Sequence, residues 1–216
     1  MRRLISFSVL ILGIILIGVV LVPLALSQAT YILNKKTVII DPSVRSTSQI
    51  PQILGTSDSD LYSASQWFPS SPSNTSTSSK VNFYTLSIPS IGLDSVPIEI
   101  NGDDLKQGAI QYPGTALPGT FGNTVIFGHS TSPFLFKKGD PLSIFNPLLK
   151  IKVGEDIVVV YDGVTYRYRV RNIAEIEPDK IEVLAQRYDK YELTLVTCIP
   201  LGTYLRRFVV RAELIN

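Results

Sequence analysis

The sequence predicts an all-β domain, a barrel or sandwich, over residues 81–216, set behind an apolar N-terminal segment and a polar linker. Three observations lead there. From Val81 onward, short apolar or alternating runs recur with Gly, Pro, Asn and Asp between them. Few stretches among them carry a helical pattern. Apolar residues make up 45% of the chain, enough for one core, and a single cysteine excludes a disulfide scaffold.

The elements follow in order. Phe83–Ile100 (FYTLSIPSIGLDSVPIEI) reads as two strands split by a Ser-Ile-Gly turn. Asp103–Ile110 is acidic at its start and suits a short helix. Asn123–His129 (NTVIFGH) is a buried-type strand ending at Gly128-His129, and Pro141–Ile151 suits a helical turn or two. Glu155–Val170 is the clearest hairpin, turning at Asp162-Gly163. In its second arm Val164, Tyr166, Tyr168 and Val170 share one face, and Thr165, Arg167 and Arg169 the other. Tyr191–Cys198 and Leu205–Leu214 complete the set, and no internal repeat is visible.

Ahead of the domain, Met1-Arg2-Arg3 precedes Leu4–Leu26, which carries no charge. A helix of that length, rising about 1.5 Å per residue, spans a hydrocarbon core of about 30 Å. The arginine pair stays cytoplasmic, which sends the rest of the chain outside. Ala25-Leu26-Ser27 faintly resembles a signal cleavage site, but signal cores usually run only about 7–15 residues. Residues 1–27 therefore read as an uncleaved single-pass anchor in the cell membrane. Residues 28–80 read as a largely disordered extracytoplasmic stalk, since Pro69–Ser79 contains only Pro, Ser, Asn and Thr. Within it, Thr37–Pro42 could form a strand and Ala64–Pro69 (ASQWFP) is a candidate docking segment.

Net charge is +2 and the pI near 8.6, too mild to argue for nucleic acid. One His and one Cys cannot build a zinc cluster. Those two residues are the reactive inventory, and both sit at C-terminal ends of expected strands. A thiol near pKa 8.5 becomes a useful nucleophile when a neighbouring cation favours its thiolate. An imidazole near pKa 6.5 can protonate a leaving amine. Together they are the parts of acyl transfer through a thioester. The bland alternative is a buried, inert Cys and a structural His. An unpaired thiol outside the cytoplasm is a liability unless it is used.

Thr194-Leu195-Val196-Thr197-Cys198, with an arginine in the next strand, resembles the TLxTC…R signature of the sortases. Gly114–Ser130 (GTALPGTFGNTVIFGHS) resembles the sortase segment that ends in the catalytic His, and the likeness covers residues 81–216. It implies a closed eight-stranded β-barrel with short helices. By that resemblance Cys198 is the nucleophile, His129 the general acid/base, and Thr197 a residue that helps shape the substrate pocket. Arg206 and Arg207 are adjacent and point to opposite faces of a strand, and the flanking residues do not decide between them. Sortases with a short loop after the Cys, as in classes C, D and E, carry the arginine nine positions on. That selects Arg207, with Arg206 as fallback, to hold substrate carbonyls and stabilise the oxyanion.

The resemblance further implies a transpeptidase that cleaves an LPxTG-like sorting signal between Thr and Gly on secreted proteins. It would transfer them to an amine of a peptidoglycan precursor or a pilin Lys, or act as a thiol endopeptidase when water resolves the thioester. No cofactor is implied. Calcium binds some sortases through loop carboxylates, and Glu175, Glu177 and Asp179 fall in an expected loop, although spaced acids are more often simply solvated. Leu117-Pro118-Gly119-Thr120 looks like a sorting motif but more simply makes a turn. Asp41-Pro42 matches the start of a pilin-polymerase lid motif, yet Ser43 stands where an aromatic is expected. Other readings are an extracytoplasmic cysteine hydrolase such as an L,D-transpeptidase, whose SHGC-type motif is absent, and a non-catalytic surface β-module.

Overall fold

Eight strands form the domain: β1 (Phe83–Ile88), β2 (Leu93–Ile100), β3 (Ala109–Gln111), β4 (Gly122–Phe127), β5 (Asp156–Tyr161), β6 (Val164–Ile176), β7 (Tyr191–Ile199) and β8 (Arg206–Leu214). They close into a barrel in the order β1-β2-β3-β4-β7-β8-β6-β5. This is a computed structural model, and it describes residues 62–67 and 81–215. The apolar Leu4–Leu26 stretch, Thr37–Pro42 and Pro69–Ser79 lie outside the described residues. Among the described residues no helix is long and apolar enough to cross a membrane.

Two pairings are parallel, β2 with β3 and β4 with β7; the others are antiparallel. The β5–β6 hairpin turns at Asp162 and Gly163, both at positive φ (50° and 75°), the mirror-type turn whose twist matches its flanking strands. Strand alternation sorts the core into two clusters. Leu86, Ile98, Ile126, Ile157, Tyr168, Leu195 and Val210 pack in the first. Ile110, Val125, Phe127, Val196, Cys198 and Val209 alternate with them and pack in the second, with Leu105, Ala64 and Trp67. Strand β4 contributes to both, so all six of its residues are buried, as expected of a strand covered on both faces.

Of four expectations, three change and one holds. Asp103–Ile110 is not a helix. The Asp104 carboxylate accepts from Lys106 N (2.9 Å) and Gln107 Nε2 (3.0 Å), closing a local turn. Ala109–Gln111 then pairs with β2 and β4. Eight residues are too few for a helix to hold by itself against that pairing. Strand β6 runs on to Ile176, past a register shift between Val170 and Asn172. Glu175 is consequently a strand residue pairing across with Phe208, not part of the loop that carries Glu177 and Asp179.

The third change concerns the linker. Tyr62–Trp67 docks on the domain: Leu105 N donates to Tyr62 O and Ala64 N to Asp103 O, both at 2.9 Å, and Ser63 bridges Asp104. The four-residue helix α1 (Ala64–Trp67) follows, with Ala64 and Trp67 buried. Part of the expected stalk is thus packed structure. The fourth concerns Leu117–Thr120, where Thr120 N donates to Leu117 O (3.1 Å) with Gly119 at φ 77° between. The turn reading of that motif holds.

Candidate active site

Parallel pairing of β4 and β7 brings together two strand ends far apart in sequence. Phe127 registers with Val196, and Gly128 N donates to Val196 O (3.1 Å), so His129 emerges beside the end of β7 that carries Cys198. Antiparallel β8 starts at this same end, and Cys198 lies directly across from Arg207. Arg207 Nη1 donates to Cys198 Sγ at 3.6 Å and to Tyr204 O at 3.1 Å. The parity left open by the flanking residues is decided by cluster membership. Arg207 alternates with Val209 on the face that holds Val196 and Cys198, while Phe208 and Val210 pack with the first cluster. Arg206 instead approaches Glu175 of β6 (3.8 Å), away from the thiol.

Three contacts fix the geometry around His129. Thr197 Oγ1 donates to Gly128 O (2.9 Å), tying β7 to the peptide before the histidine. Its side chain is wholly buried, as is the neighbouring thiol, and this bond braces the junction of β4 and β7. Ser130 Oγ donates to Cys198 O (2.7 Å), and Ser130 N donates to His129 Nδ1 (2.9 Å). An Nδ1 that accepts leaves the imidazole proton on Nε2. Beyond it, Asn146 clamps Thr131 through Thr131 N→Oδ1 (2.8 Å) and Nδ2→Thr131 O (2.9 Å). Gly128 is required for close approach: a Cβ there would meet the Phe145 ring at 2.3 Å.

The site is closed from outside by the docked linker. Tyr62 packs on the His129 ring with centroids 5.2 Å apart. Trp67 stacks on Phe127 (5.4 Å) and lies 4.7 Å from the Arg207 guanidinium carbon. Lys106 sits over the Tyr62 ring at 4.4 Å. Cys198 is 0% exposed, and His129 and Arg207 are each 5% exposed. That burial sets the protonation states. It pushes the Cys198 thiol up to about 11, against the pull of the Arg207 guanidinium. It also lowers His129 below the ordinary imidazole value. Both groups are therefore neutral at pH 7 in this arrangement, and Arg207 supplies the site's positive charge.

Sequence reasoning singled out Cys198, His129, Thr197 and Arg207, and the structure gathers all four at one end of the barrel. It did not find Ser130, Asn146, Tyr62 or Tyr204. Trp67 lies in the segment singled out for docking, but nothing in the sequence pointed to its target. Among the described residues no cluster of three or more His, Cys, Asp or Glu is placed to hold a metal ion.

Comparison with known proteins agrees with this geometry. The family described as Sortase domain matches residues 86–215. Sortase A of Bacillus anthracis is 30% identical over 132 residues, covering 61% of this chain and 59% of that protein. The chain thus spans less than two thirds of that relative's length. Among solved structures, a lid mutant of Sortase A from Corynebacterium diphtheriae superposes with TM-score 0.56 at 28% identity, covering 74% of this chain and 93% of that one. A Sortase D5 transpeptidase from Clostridium perfringens gives TM-score 0.53 at 27% identity, covering 62% and 79%.

Proposed function

The chain belongs to the sortase family, and from that premise we propose that it is a membrane-anchored cysteine transpeptidase with its barrel outside the cytoplasm. Its substrates are secreted proteins bearing an LPxTG-like sorting signal. Its acceptor is an amine, from a peptidoglycan precursor or a pilin Lys. Leu4–Leu26 is the anchor.

The observation that carries this reading is Arg207 facing Cys198 directly across β7 and β8. With the 62–67 segment lifted, water reaches the thiol and the burial that holds its pKa near 11 is removed. The guanidinium then favours the thiolate. Cys198 Sγ attacks the Thr carbonyl, forming the C–S bond as the carbonyl π pair moves onto oxygen. Arg207 donates to that oxyanion; its Nε is buried and makes no hydrogen bond within the described residues, leaving a donor for substrate. Collapse breaks the Thr–Gly bond as His129, protonated in the open site, delivers its proton to the departing amine. The acceptor amine then attacks the thioester, forming the C–N bond as the C–S bond breaks; its proton passes to His129 and Cys198 leaves as the thiolate.

The test is incubation of the full chain with an LPxTG peptide, with and without an amine acceptor, read by mass spectrometry. A Cys198 thioester adduct in wild type and none in C198A is expected. Cleavage retained by C198A would remove Cys198 from its role.

A further inference from the structure

Immediately after the site, the chain exposes three large apolar side chains in a row: Phe134 (72%), Leu135 (68%) and Phe136 (43%). Such a run is uncommon on a soluble surface and marks an interaction site. Lys137 and Lys138 follow it, both exposed, and residues 130–139 contain no acid. Asp140 comes next, but its carboxylate is engaged by Leu142 N (2.9 Å). The loop's base is held on both sides. Asn146 clamps Thr131, and Ser143 Oγ both donates to Lys137 O (2.7 Å) and accepts from Lys137 N (3.3 Å). Pro133–Leu135 forms a 3-10 turn between them. Gly202, in the β7–β8 connection, approaches so closely that a Cβ would meet Ser132 N at 2.7 Å. The apolar tip is therefore a braced projection at the end of the barrel where Cys198 and His129 lie.

We propose that the 133–138 loop is a bilayer contact, its Phe134–Phe136 tip entering the interface of a membrane with anionic headgroups and Lys137 and Lys138 meeting those headgroups. An exposed run of aromatic and aliphatic side chains flanked by lysines suits a soft lipid interface, where such residues sit at headgroup level. The inference rests on the proposed anchor: a chain held at a bilayer by Leu4–Leu26 has that surface within reach. Docked this way, the end of the barrel that carries Cys198 and His129 lies toward the membrane.

The test uses the full chain in vesicles of equal parts phosphatidylcholine and phosphatidylglycerol. In a C198S background, F134C carries an environment-sensitive fluorophore. V164C, beside the Asp162-Gly163 turn at the opposite end of the barrel, carries it as control. With doxyl-labelled lipid present, the label at 134 is expected to shift to the blue and be quenched several-fold more than the label at 164. Replacing each of Lys137 and Lys138 by Gln lowers the ratio of quenched to unquenched label, by roughly fivefold per lysine. Vesicle flotation separates the two readings. A chain that floats while both labels behave alike overturns the loop's role and leaves the anchor standing. A chain that does not float overturns both. A blue shift that grows with protein concentration and ignores lipid composition assigns the tip to a second copy of this chain, and overturns the bilayer contact.

Discussion

The indole of Trp67 lies 4.7 Å from the guanidinium carbon of Arg207, which in turn donates to the Cys198 thiol. One aromatic side chain of the linker thereby seals the pair on which the proposed chemistry depends. A cation–π contact contributes about 0.5–2 kcal/mol, and the stacking on Phe127 adds to it. Trp67→Ala is expected to raise the open fraction at least tenfold. The rate at which a thiol reagent labels Cys198 should rise in proportion. Global stability should fall by less than a buried Trp→Ala usually costs, because the segment can undock while the barrel stays folded. Unchanged labelling kinetics would mean that Trp67 does not gate the thiol.

The Cys198 thiol carries a pH signature of the closed state. Its folded pKa, about 11, lies above the reference value of 9.0, so the folded form holds the proton more tightly than the unfolded form. The resulting contribution is complete below pH 9 and is lost as pH rises through 11; two units correspond to about 3 kcal/mol. Tyr84 and Tyr168 are raised in the same direction by burial, so the readout is the difference between wild type and C198A. Thermal midpoints of the two proteins should move relative to each other between pH 9 and 11, with wild type losing more stability. Parallel curves would place the thiol in contact with water.

Arg206 and Arg207 are adjacent in sequence but differ in what they touch. Arg207→Ala is expected to lower kcat/KM on a sorting-signal peptide by about 10²–10³, the usual cost of removing an oxyanion donor. Arg207→Lys should recover only part of this, since an ammonium lacks the planar fork. Arg206→Ala loses a partly exposed 3.8 Å ion pair with Glu175 and should leave activity within about twofold, with less than about 1 kcal/mol lost in denaturant melts. The reverse ranking would transfer the role to Arg206.

Ser130 joins the two halves of the site, donating its N–H to His129 Nδ1 and its hydroxyl to Cys198 O. Ser130→Ala keeps the first bond and leaves the buried carbonyl without its donor, costing about 1 kcal/mol of stability. Steady-state kinetics should show kcat reduced several-fold at nearly constant KM, with Ser130→Thr restoring part of it. A change in KM alone would assign Ser130 to substrate binding instead.

The legible parts of this chain were those where local chemistry and global fold agree. Asp162-Gly163 between alternating strands could be little else than a hairpin, and the unbroken apolar run Val125-Ile126-Phe127 marks a strand covered on both faces. The segment 103–110 was misread because its acidic start fits a helix as well as it fits the Asp104 turn. The choice was made by strand partners that no local window contains. The orientation of Arg207 was carried by a motif spacing. Its physical reason, the register that sets Cys198 across from it, exists only in the assembled sheet. Ser130 and Asn146 are small polar residues whose importance is wholly positional. Trp67 and Tyr62 gain meaning only from the surface they cover.

The parallel pairing of β4 with β7 has a temporal consequence. His129 precedes Cys198 by 69 residues, and the arginine opposite the thiol arrives only with the last strand of the barrel. Contacts of such high sequence separation form late and together, after the cost of closing the intervening loops has been met. A partly threaded chain therefore carries its cysteine without the histidine beside it, whereas Arg207, nine residues on in the adjacent strand, is a local partner. The barrel's own closure is the step that brings the imidazole to the thiol, and a chain that never completes it lacks that pair.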